Sequence, residues 1–136
     1  MGERTSKKTQ SYEVDFGKTL LSVFSDYSLI IQQLVLDFVE YFEKKGLLGW
    51  KGKCTSSENV PYYFENKDEI KKCAQKYNLW HVHIGYPTWL KSPFKNILVS
   101  NFVLHFKKIN ECKIVLLSIG MHDPMKIPSE ELCNEQ

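Results

Sequence analysis

The sequence predicts an α+β domain in which an antiparallel sheet carries two helices on one face. Three observations predict it. Apolar residues recur at three- and four-residue spacing between residues 29 and 42, the period of an amphipathic helix. They alternate with polar ones in residues 12–16, 79–85 and 99–108, the period of a half-buried strand. These segments follow one another as strand, helix, helix and three strands within 136 residues, the length of a single domain.

The elements follow in order. Residues 1–10 are polar and read as a disordered lead-in, with the folded domain at 11–128. Tyr12, Val14 and Phe16 alternate with Glu13 and Asp15, and Gly17 ends that strand. Leu29, Ile30, Leu34, Val35, Phe38, Tyr41 and Phe42 form the stripe of a long helix. Ser25 or Asp26 can cap its start, while Lys44 and Lys45 before Gly46 suit its negative end. Residues 47–66 hold Gly49, Gly52, Pro61 and the polar run Thr55, Ser56 and Ser57, and read as a loop. A second helix is expected over 67–77, with Asn66 as cap and Ile70, Cys73, Ala74 and Tyr77 facing inward. Strands follow at 79–85, 99–108 and 113–121, the last two joined by a tight turn at residues 109–111. The acidic tail, 129–136, reads as solvated.

The formal charge of +2 conceals an uneven distribution. Residues 70–128 carry nine lysines against Glu111 and Asp123, and they also hold every histidine: His81, His83, His105 and His122. Such a section suits a localised anionic partner. No apolar run approaches the ~20 residues of a membrane span, because Gln32, Gln33, Asp37 and Glu40 interrupt the most hydrophobic stretch. The N-terminus lacks the apolar middle of a secretory signal. Cys54, Cys73, Cys112 and Cys133 form no C-x-x-C pair and read as reduced thiols of a cytoplasmic protein.

Strand alternation places Trp80, Val82 and Ile84 on one face and Leu79, His81 and His83 on the other. It also groups Asn101, Val103, His105 and Lys107, with His122 at the end of the last strand. The expectation is a histidine and lysine cluster on a sheet face that no helix covers. Three readings compete. The first takes the residues as ordinary half-exposed polar groups. They can be read as a metal-dependent hydrolase in which His81 and His83 join His105 or His122 around an ion. No acidic residue adjoins His81 or His83 to orient them, and the lysines disfavour a divalent cation. The third reading is RNA cleavage without metal, one imidazole acting as base and another as acid beside a lysine. Trp89, near Lys91, is then the expected base contact, while Phe94 is expected to pack on the core. A non-catalytic RNA- or protein-binding module is the alternative outside enzymes.

The run Leu79-Trp80-His81-Val82-His83-Ile84 is followed by Ser100-Asn101 and then by Leu116-Leu117-Ser118-Ile119-Gly120-Met121-His122. Together they resemble the YafO family of bacterial toxins. Asp37-Phe38-Val39-Glu40-Tyr41 with Gly46 and Leu47 resembles that family's helix end. The likeness runs over residues 35–126.

It implies a RelE-like fold and a toxin of a toxin–antitoxin system. Such a toxin is an mRNA interferase: a metal-independent endoribonuclease, without cofactor, that cuts mRNA on the translating ribosome and inhibits translation. Its partner is a cognate antitoxin. By residue, the resemblance carries over to His81, His83, Ser100 and His122; His105 rests on strand geometry alone. The chain departs from the pattern in two ways. Asn101 stands where an acidic residue is expected, and the single arginine, Arg4, lies outside the site. Lysines must therefore replace the guanidinium groups expected in RelE-like sites, without their bidentate geometry. The expected catalytic set is His81, His83, His105, Lys107 and His122, and the expected substrate contacts are Trp89, Lys91, Lys95, Ser100, Lys108 and Lys126.

Overall fold

A computed structural model of the chain describes residues 11–93, 96–122 and 126–135. The expected lead-in, Phe94 and Lys95 lie outside the described residues. The strands are β1 (Glu13–Phe16), β2 (Cys54–Ser56), β3 (Leu79–His83), β4 (Leu90–Lys91), β5 (Leu98–Val99), β6 (Phe102–Asn110) and β7 (Lys113–Met121). The helices are α1 (Lys18–Val23), α2 (Leu29–Lys45), α3 (Lys67–Tyr77) and α4 (Glu130–Cys133). Five strands form one mixed sheet in the order β1-β7-β6-β3-β2, and β4 and β5 pair as a separate small hairpin. Only β1 and β7 run parallel, with Val14 opposite Ile114. No helix among the described residues is long and apolar enough to cross a membrane.

Local chemistry sets most boundaries. The helix α2 starts at Leu29 because the Ser28 hydroxyl accepts the Ile31 N–H, while Ser25 and Asp26 lie in a preceding 3-10 turn. It stops where Gly46 takes a φ of 74°, a conformation that side chains resist. Helix α3 ends the same way at Asn78, with φ of 52°. Asn110 pairs with Lys113, so the β6–β7 hairpin turns through Glu111 and Cys112.

The main core lies between α2 and one face of the sheet. Ile31, Val35, Phe38 and Phe42 pack with Val82, Ile84, Leu104, Phe106, Ile114 and Leu116, and Leu20 of α1 completes the layer. The opposite face is not open, in contrast to the sequence expectation. Ala74 of α3 packs with Leu79, Val115, Leu117 and Cys133 on that side, and Ile70 packs with Phe64. Helices therefore cover both faces. The reason is the apolar content of the second face: leaving Leu79, Val115 and Leu117 in water would cost about 25 cal/mol per Å² of apolar surface.

The acidic tail is folded, not solvated. The Glu130 carboxylate accepts from Lys76 Nζ (3.1 Å) and Tyr77 Oη (3.3 Å). Glu135 accepts the Thr19 N–H (2.9 Å) and hydroxyl (2.6 Å), and its backbone carbonyl accepts from Lys107 Nζ (2.7 Å). These contacts seat Cys133 in the core, where burial pushes its thiol pKa up to about 12. The segment expected as a loop at 47–66 contributes β2, an edge strand pairing Thr55 with His81.

Candidate active site

The sheet register gathers the four histidines. Alternation along β3 puts His81 and His83 on the face shared with α3, and pairing with β6 sets His105 opposite His81. His122 follows β7 directly, and its N–H donates to the Asn101 carbonyl (2.7 Å), which ties it to the start of β6. Ring centroids of His122 lie 5.3 Å from His81 and 5.1 Å from His83, and those of His81 and His83 are 6.3 Å apart. His105 stands behind them, 6.1 Å from His81.

The grouping matches the strand pattern; the burial does not. His81, His83 and His105 are only 2%, 3% and 1% exposed, and His122 alone is half-buried. Burial lowers the His81 pKa to about 2, with the neighbouring imidazoles and Lys53 acting in the same direction. His83 falls to about 4, chiefly through burial and His122, with a backbone hydrogen bond at Ser100 opposing the change. His105 falls to about 4 through burial and His122. All three are neutral at pH 7.

Two of the rings are held at the same atom. The Ser57 hydroxyl lies 2.9 Å from His81 Nδ1, and Ser100 sets its backbone N–H and carbonyl each 2.8 Å from His83 Nδ1. Nδ1 is engaged in either tautomer, so Nε2 is the nitrogen left to each ring. Both ring nitrogens of His105 are buried with no hydrogen-bond partner. In the next row of the sheet, His83 pairs with Val103 and Val103 with Gly120, where an added Cβ would meet nothing within 4 Å. The face opens there, beside His122.

The other expected residues are dispersed. Ser100 is buried; its hydroxyl donates to the Phe102 carbonyl (2.8 Å) and accepts the Gly85 N–H (3.1 Å), so it holds His83 rather than facing a substrate. Lys107 shares the histidine face, but its ammonium is bound to the tail carbonyl of Glu135. Lys108 lies on the α2 face, 4.5 Å over the Trp80 ring and 2.9 Å from Glu111. Trp89 fills the space left by Gly52 and Gly85, where a Cβ would come within 2.6 and 2.5 Å of its ring. It is framework. Lys91 is exposed on the β4–β5 hairpin, and Lys126 is exposed beside Ile127.

Sequence reasoning missed Lys53, Ser57 and Phe64. Lys53 bonds His83 through its backbone carbonyl (2.9 Å) and is the lysine whose charge acts on both His81 and His83. Phe64 rests against His122 with ring centroids 6.1 Å apart. The alternation of Lys53, Thr55 and Ser57 against Cys54 and Ser56 was the available signal, too polar to stand out among glycines. Among the described residues, no group of three or more His, Cys, Asp or Glu side chains is placed to hold a metal ion. What the arrangement offers is proton transfer: two neutral imidazoles fixed at Nδ1, His81 and His83, with the half-buried His122 and the Lys53 charge beside them. The chain matches no protein-family model, no curated protein and no solved structure.

Proposed function

We propose that the protein is a metal-independent endoribonuclease of the YafO type, the toxin of a toxin–antitoxin pair, acting on mRNA at the ribosome in the cytoplasm. The observation that carries this reading is the convergence of His81, His83 and His122 within 5.1–6.3 Å, with two of the rings fixed at Nδ1. In this reading the scaffold is RelE-like, and a cognate antitoxin restrains the enzyme.

The chemistry follows from the positions. Neutral His83 accepts the proton of a ribose 2′-hydroxyl, whose oxygen attacks the adjacent phosphorus. His122, nearest solvent, delivers a proton to the departing 5′-oxygen as the P–O5′ bond breaks. The products are a 2′,3′-cyclic phosphate and a 5′-hydroxyl. Lys53 offsets charge growing on the phosphorane, a role sequence reasoning gave to Lys107. Ser57 and Ser100 keep the rings aimed. His81 and His105 form the rigid wall behind them.

The test is cleavage of mRNA in programmed ribosome complexes, with product ends mapped, in the presence and absence of a chelator. Wild type is expected to leave cyclic phosphate ends in both conditions, and His83→Ala or His122→Ala to lower the rate by about 10²–10⁴-fold. If wild type leaves mRNA and translation untouched, or chelation abolishes cutting, the reading fails.

A further inference from the structure

A ladder of aromatic rings leads from the surface into the histidine cluster. Tyr62 and Tyr63 stand 85% and 64% exposed, although large aromatic side chains are ordinarily well covered. Their backbone explains the exposure. The Phe64 N–H donates to the Pro61 carbonyl (3.1 Å), closing a turn with the two tyrosines at its corners. Phe64 points back inward, buried with Ile70, Val60 and Ile127. Ring centroids step from Tyr62 to Tyr63 (5.7 Å), from Tyr63 to Phe64 (5.3 Å), and from Phe64 to His122 (6.1 Å). The anchor of this turn is therefore also a wall of the catalytic cluster.

We infer that Tyr62 and Tyr63 form a stacking platform for unpaired RNA bases flanking the cleaved bond. This rests on the nuclease reading above and supplies the base contact that Trp89, packed into the framework, does not. Single-stranded RNA is bound largely by stacking on aromatic faces, which every base can satisfy. Two tyrosines at a turn tip offer such faces without disturbing the core. Phe64 meets His122 edge-on, so the platform places a stacked base beside the reacting phosphate. The charges nearby fit a division of labour. Exposed Glu65 adjoins the turn and disfavours a phosphate there, leaving the base faces as the contact. Exposed Lys126 precedes Ile127, which packs against the same Phe64 cluster, and is placed to meet the backbone instead.

The experiment is a titration of the full chain with a fluorescein-labelled, single-stranded 2′-O-methyl oligoribonucleotide. Lacking the attacking hydroxyl, this probe binds but cannot be cut. Wild type is expected to bind saturably. Tyr62→Ala and Tyr63→Ala should each weaken binding about tenfold, while Tyr62→Phe and Tyr63→Phe keep it, because stacking needs the ring and not the hydroxyl. Thermal midpoints should stay at the wild-type value, since both side chains lie outside the core. The platform is overturned if wild type does not bind the probe, or if the alanine variants bind as wild type does. Cleavage of natural mRNA by the same proteins separates the two ideas. Tyrosine-dependent binding without cutting keeps the platform and removes the nuclease reading; cutting that ignores both tyrosines does the reverse.

Discussion

The two faces of the five-stranded sheet are both covered, yet they are built from different chemistry. Under α2 the buried layer is built from apolar side chains, from Leu20 through Phe38 and Phe42 to Phe106, with Lys108 at its edge. Under α3 it is split. One end, around Leu79, Ala74, Val115 and Leu117, is a small apolar core; the other holds His81, His83 and His105 at almost no exposure. The first face holds the fold together. The second gives up apolar burial to keep imidazoles dry, and an imidazole kept dry is kept neutral. A region that costs stability in this way is where function is sought.

Acid separates the faces most strongly. The folded pKa values of about 2, 4 and 4 for His81, His83 and His105 lie below the unfolded value of about 6.5. Below that pH the unfolded chain takes up protons that the folded chain refuses, so stability falls as pH falls from 6.5 toward 4. Each histidine contributes a slope of about 1.4 kcal/mol per pH unit within that window. Denaturant titrations between pH 7 and pH 5 should show several kcal/mol lost, and His83→Gln should reduce the slope by about a third. A flat profile would mean that the histidine face is wetter than its geometry.

Next in size is the apolar face. Phe38→Ala removes a fully buried ring that touches both Trp50 and Phe106, and should cost about 3–5 kcal/mol with no change in the pH slope. Smallest, and of opposite sign, is His105→Leu. It deletes two buried nitrogens that lack partners but changes the shape of a tightly packed side chain, so stability at pH 7 should hold or rise by about 1 kcal/mol. A loss as large as that of Phe38→Ala would break the contrast between the faces, making His105 a structural pillar.

Much of the fold was legible because periodicity records which side of an element is dry. The run from Leu29 to Phe42, the helix over 67–77 and the strand over 113–121 stand where the pattern put them. The grouping of His81, His83, His105 and His122 was legible for the same reason. Other features were not. The short strand at Cys54–Ser56 has three half-buried residues and no apolar alternation to mark it, so Lys53 and Ser57 were invisible as neighbours of the histidines. The pairing of β1 with β7 joins strands almost a hundred residues apart, and no local pattern announces a partner at that distance. The sequence assigns Lys107 to catalysis and Lys108 to substrate contact; the tail carbonyl and the Trp80 ring that engage them are tertiary neighbours.

The sequence by itself determined the elements, their inward sides and the set of side chains that share the second face, because these depend on spacing along one chain. It did not determine whether that face would be open. That was decided by α3 and the acidic tail, which close over Leu79, Val115 and Leu117 because the apolar half of the face must be covered. It was decided equally by Ser57, Ser100 and His122, which pack against His81 and His83 on the other half, where three of the four histidines are buried. Burial, and the loss of charge that follows from it, is a property of what packs above a residue, not of the residue's place in the chain.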